Sequence, residues 1–223
     1  MRISTETFNV LKNFATINSS LVVNEGSVIR TMSPVKNILA EYTCSETFPH
    51  NFALYNLNEF LIGTTLFHEP EFTFDNSKYV VISSGRSKVE YFYSDPSLIV
   101  KPSDKDIPMD GDLVEFELSQ EVLGSLLKSS TVFNRTDLSL IGEGDDLNLV
   151  IHDKDNPTSN NCSVRVGDNN KMDDFTFNFK VENIKIIPDT YNVVVSSNNI
   201  ALFTSSKYSL RYWIALEPDS TYG

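Results

Sequence analysis

His50, His68 and His152, with Cys44 and Cys162, are the side chains best suited to ligate a metal or to supply a base and a nucleophile near neutral pH. They are scattered along 223 residues, and no two stand at the short spacings that zinc sites use. Gly142-Glu143-Gly144-Asp145-Asp146 has the glycines of a phosphate-binding turn but lacks its fingerprint, and acids stand where the phosphate would sit. Asp153-Lys154-Asp155-Asn156-Pro157 and the stretch Asp168 to Asp174 gather carboxylates as a calcium loop does, without the central glycine and terminal glutamate of such a loop. No local signature joins a serine, a histidine and an aspartate. The expectation is a chain that is not an enzyme and holds no metal or cofactor, with solvated acidic loops. A hydrolase with an unrecognised site is the alternative of that class.

Binding chemistry is better represented. Residues 9–20, NVLKNFATINSS, read as helical, and their only charge is Lys12, in a chain of net charge −12. On a helical wheel Val10, Leu11, Phe14 and Ile17 form an apolar stripe. Asn9, Lys12, Asn13 and Thr16 fall opposite, spaced i, i+3, i+4, i+7, with no acid among them. A second helix pattern begins at Leu118-Ser119-Gln120-Glu121. It carries apolar Val122, Leu123, Leu126 and Leu127, exposes Ser125, Lys128 and Arg135, and has no acid after Glu121. Two related faces cleared of carboxylate in a chain with 30 acids point to a shared anionic neighbour.

These helices belong to a repeat. Ile3-Ser4-Thr5-Glu6 opens the first as Leu118-Ser119-Gln120-Glu121 opens the second, 115 residues later, each with a hydroxyl residue able to cap and a glutamate in the first turn. A strand follows each helix, SLVV at 20–23 and DLSLI at 137–141. FALYNLNEFL (52–61) and FNFKVENIKI (177–186) each run from a strand-like opening into a predicted short helix. Strands close each copy: YVVIS and VEYFY, then YNVVVS, IALFTSS and LRYWIAL. Between the copies, residues 94–112 hold three of the nine prolines and five aspartates, and read as an exposed connector. The fold class expected is α+β, with domains at 1–93 and 113–223 of one topology, strand–helix–strands–helix–strands.

The bulk numbers agree. A 40% hydrophobic and 11% aromatic composition can build packed cores. Residues 1–108 carry a net charge of −3 and 109–223 of −9, with nine acids against three bases in 137–174, so the acid is local and other surfaces are free to be neutral or basic. No apolar run is long enough for a membrane helix, MRISTETFNV lacks a signal region, and the isolated cysteines suit a reducing interior.

LKNFATIN at 11–18, after the Met-Arg-Ile-Ser opening, resembles the start of the DNA polymerase sliding clamps of T-even-type bacteriophages. So do Ala53-x-Tyr55-x-Leu57-Asn58-x-Phe60-Leu61, Thr176-Phe177-Asn178-Phe179 and the ending Ala215-Leu216-Glu217-x-Asp219-Ser220-Thr221. The resemblance runs end to end; it is specific at LKNFATIN and at the ending, and weakest in the connector and 137–174. It implies the DNA clamp fold, with two similar domains per subunit, inner helices and outer β-sheets, and a homotrimeric ring around double-stranded DNA, bound without sequence specificity. It implies a processivity factor for the phage DNA polymerase, opened by an ATP-dependent clamp loader, serving also late-transcription factors, in the cytoplasm of the infected bacterial host. A phage virion structural or assembly protein is the alternative reading. On the clamp reading Lys12, Lys128, Arg135 and Lys185 face the DNA channel. Leu98, Ile99 and Val100, apolar in a polar connector, form a groove for partner peptides, with Leu216 and Pro218 as further candidates.

Overall fold

The computed structural model describes residues 1–103, 107–156, 158–170 and 174–222. The chain forms two compact units, Met1–Asp104 and Lys105–Gly223, so residues 94–103 of the connector stretch belong to the first unit.

The first unit opens on α1 (Thr5–Ile17). Ser4 holds an extended backbone and its hydroxyl accepts the Thr7 amide at 3.1 Å, satisfying one of the donors a helix start leaves open. Val10, Leu11, Phe14 and Ile17 are all buried, and α1 packs on α2 (Leu57–Thr64) and on the strands beside it. Those strands are β1 (Leu21–Val23), β2 (Gly26–Met32), β3 (Ile38–Phe48) and β4 (Phe52–Leu54), ordered β4-β1-β2-β3 and antiparallel. A second antiparallel ladder, β5-β6-β7, is made of β5 (Glu71–Thr73), β6 (Tyr79–Ser84) and β7 (Ser87–Phe92).

The second unit repeats this plan. β8 (Leu113–Leu118) leads into α3 (Gln120–Phe133), capped by Ser119, whose hydroxyl accepts the Val122 amide at 3.2 Å. β9 (Asp137–Glu143), β10 (Asp146–His152), β11 (Cys162–Asp168) and β12 (Phe175–Lys180) take the order β12-β9-β10-β11, matching β4-β1-β2-β3. β13 (Tyr191–Ser196), β14 (Ile200–Ser205) and β15 (Leu210–Ala215) match β5-β6-β7, with β8 paired to β13. The two-residue β16 (Thr221–Tyr222) adds to the free side of β12. The fold is α+β, two units of one topology.

Two predicted elements differ. The strand expected before α1 is absent, although Met1 exchanges backbone hydrogen bonds with Phe72 of β5. The helix expected within FNFKVENIKI is a single 3-10 turn, Val181–Asn183. In the first unit the Asn56 carboxamide caps α2 by accepting the Glu59 amide at 3.0 Å; Lys180, at the matching position, makes no side-chain cap. Beyond the turn the Lys185 amide donates to the Asn183 carbonyl at 2.9 Å, and the chain buries Ile184 and Ile186 before reaching Pro188.

The described part of the connector is an ordered strap. Pro96–Leu98 form a 3-10 turn capped by Asp95, whose carboxylate accepts the Ser97 amide at 2.8 Å and is held below its usual pKa by that bond. Ile99 and Pro102 are buried.

Candidate nucleic-acid interface

The buried stripes of α1 and α3 coincide at an offset of 116: Thr7 with Leu123, Val10 with Leu126 and Phe14 with Ser130 are all buried. The same offset carries Lys12 onto Lys128, and both lysines are exposed. Asn9 and Thr16 are exposed beside Lys12, with Asn13 half-buried; Ser125, Gly124 and Thr131 are exposed beside Lys128. Each helix has one carboxylate, Glu6 or Glu121, confined to its first turn. There it lies near the positive end of the helix dipole and leaves the rest of the exposed face without negative charge.

At the start of α1 the acids are held in place. Tyr42 donates its hydroxyl to Glu6 Oε1 at 2.8 Å, and Thr7 donates to Glu46 Oε2 at 2.7 Å. Burial opposes ionisation of Glu46, but hydrogen bonds from the Ser4 amide and the Thr7 hydroxyl outweigh it and hold the carboxyl below its usual range. Burial also pushes the Tyr42 hydroxyl pKa far up, so Tyr42 stays a neutral donor.

Arg135 lies beyond the helix, after the left-handed cap residue Asn134, and its Nε donates to the Asn160 carbonyl at 3.0 Å. It lines a hollow with Ser130, Thr136, Lys180, Val181 and Glu182. Lys185 is half-buried just after the 3-10 turn. Lys180, absent from the sequence-based set, lies in the same hollow as Arg135, 2.5 Å from Asp137 Oδ1. Asp137 is buried, which opposes its charge, but Lys180 holds its carboxyl below the usual pKa. Nothing local marked Lys180, because its partner is 43 residues away.

Of the apolar connector triplet, Leu98 is 68% exposed and Val100 38%, while Ile99 is buried in the first unit's core. Leu216 is buried in the second unit, and Pro218 is exposed. Sequence reasoning missed Asn18, whose side chain reaches Val100.

Comparison with solved structures shows the fold. The PCNA of A. fulgidus shares the fold with a TM-score of 0.70 at 9% identity, over 96% of both chains. This architecture of paired α+β units is that of the DNA clamps. Residues 4–101 match the DNA polymerase processivity factor family. The sliding clamp of Vibrio phage KVP40 is 30% identical over 222 residues, 97% of this chain and 99% of that one. The sliding clamp of Enterobacteria phage T4 is 28% identical over 232 residues, covering 100% and 99%. The chain belongs to the phage sliding clamp family.

Proposed function

We propose that three copies of this chain close head-to-tail into a ring around duplex DNA and tether the phage replicative polymerase to its template. The observation that carries this reading is the pair of equivalent helix faces, bearing Lys12 and Lys128 and no carboxylate past the first turn, in a chain of net charge −12. A sliding ring must neither repel nor grip the backbone. Acid on its wall would repel phosphates, and dense lysine would release many counterions and bind too tightly to move. A polar lining with sparse cations lies between those limits. Arg135 and Lys185 are weaker members of this lining, since Arg135 is bonded to a neighbouring loop and Lys185 is half-buried.

Ring closure needs two different faces on one subunit. β7 and β11 each end a ladder, and pairing β7 of one copy with β11 of the next would cover both edges. Apolar Ile62 and Leu66 near the end of α2, and Val132 and Phe133 at the end of α3, are exposed and suit burial in the same contact.

Leu98 and Val100 offer an apolar edge to a short peptide from the polymerase, with Pro218 as a separate candidate. The A. fulgidus PCNA binds the C-terminal region of FEN-1. On the same reading an ATP-dependent loader opens the ring, late-transcription factors use it as a mobile platform, and it works in the cytoplasm of the infected host. Loading on closed circular and on linearised DNA tests the proposal. The ring should stay on the circle through a high-salt wash and run off free ends; equal retention on both would overturn it.

A further inference from the structure

Asn18 ends α1 and is 6% exposed, yet its backbone amide and both polar atoms of its side chain have partners. Its backbone amide donates to the Phe14 carbonyl at 2.9 Å, closing the helix. Its Oδ1 accepts the Ser20 amide at 2.9 Å. The two hydrogens of Nδ2 serve two carbonyls, Met32 at the end of β2, at 2.9 Å, and Val100 in the connector, at 3.2 Å. One buried carboxamide thus joins the last turn of α1, the end of β2 and the connector strap.

The bond to Val100 fixes a register. Leu98 and Val100 turn outward while Ile99 is buried between them, so a slip of one residue would bury the exposed pair and expose Ile99. Arg30 supplies a second tie nearby. It is paired with Glu41 at 2.6 Å, and its Nη1 donates to the Ser103 carbonyl at 2.9 Å.

We propose that Asn18 is a positioning residue that anchors the Val100 carbonyl to the end of the DNA-facing helix and so holds Leu98 and Val100 ready for the polymerase. This rests on the connector being the polymerase site. Asn18 touches neither DNA nor polymerase and acts through the strap.

Asn18→Asp tests it, because the carboxylate keeps the acceptor for Ser20 but removes both donors. Hydrogen exchange should rise at the Leu98 and Ile99 amides, which bond the Asp95 and Pro96 carbonyls at 3.2 Å each, and stay unchanged in β3 and in β2 short of Met32, whose carbonyl also loses its Asn18 donor. The concentration of the cognate phage polymerase that half-saturates the clamp on primed circular DNA should rise about tenfold. The extension rate at saturation and retention on the circle should stay at wild-type values. Asn18→Ser, which keeps one short donor, should shift the same readings less. Faster exchange with unchanged polymerase affinity, or faster exchange spread through the whole unit in both variants, would overturn the proposal and leave Asn18 a core residue only. Leu98→Asp separates the two claims. If it leaves polymerase affinity intact, the connector is not the polymerase site and both fall; if it weakens affinity while Asn18→Asp does not, only the role of Asn18 falls.

Discussion

Lys12 and Lys128 each supply a positive charge to a face with no acid past the first helical turn, so the clamp reading is most exposed to test at these two residues. Changing both to Glu puts negative charge where phosphates would pass. Loading on circular DNA should fall about tenfold or more in moderate salt, with subunit association unchanged by native mass. Wild-type loading by the double variant would remove these helices from the channel. Glu46 makes a separate prediction about pH. Its folded pKa is lowered, so its stabilising contribution is complete above the unfolded value of about 4.3 and is lost as pH falls through the folded value. Melting temperature should therefore hold down to about pH 5 and fall below it. Glu46→Gln should be less stable at neutral pH and show a shallower acid slope, measured by thermal melts across pH; an unchanged slope would mean the Ser4 and Thr7 bonds do not act on this carboxyl. The sequence exposed Lys12 and Lys128 because their surroundings repeat with helical period. Asn18 and Lys180 stayed hidden because their partners lie 82 and 43 residues away, and no local pattern encodes such a contact.

Among the elements, the serines before α1 and α3 were legible because capping is local chemistry, and both hydroxyls accept the amide three residues on. Ser4→Ala and Ser119→Ala should each cost about 1 kcal/mol in denaturant unfolding. Loss at only one of the two sites would mean the caps are not equivalent. The repeat was legible for a similar reason, since both copies spell the same order of periodic segments. The second short helix misled because FNFKVENIKI has helix-compatible residues but no cap, and after one turn the chain leaves the helix to bury Ile184 and Ile186. Gly142 shows how a residue seen in one chemical context can serve another. Its glycine-and-acid stretch lacked the phosphate fingerprint, and in the fold a Cβ at Gly142 would lie 2.4 Å from the Phe175 ring, which stacks on Tyr222 at 5.8 Å between centroids. Gly142→Ala should displace that ring, cost about 1–3 kcal/mol and speed exchange in β16. Native exchange in β16 would show that Phe175 has room to move aside.

For the molecule as a whole, a net charge of −12 taken alone argues against a nucleic-acid partner, and its distribution removes that objection: −3 over residues 1–108 against −9 over the rest, with nine acids in 137–174. The edges that would join subunits were not legible, because a strand's free side depends on what pairs with its other side. In the fold the Tyr93 amide donates to the Lys78 carbonyl at 2.9 Å, and β7 runs antiparallel to β6 with Phe92 opposite Tyr79 and Glu90 opposite Val81. Hydrogen-bonded pairs alternate along such a ladder, so Phe92, Glu90 and Lys88 turn their amides away from β6. Glu90→Pro deletes one of these outward donors and spares the bonds to β6, a substitution an edge strand tolerates. The exposed Lys88–Glu90 contact at 3.6 Å that it removes contributes little. If β7 pairs with β11 of the next copy, three chains of 25.1 kDa, about 75 kDa together, should separate into monomers with unchanged circular dichroism, and retention on circular DNA should vanish with the ring. A folded trimer of Glu90→Pro would place the subunit contact on other strands, and the heterologous face opposite β11 would then have to be sought outside β7.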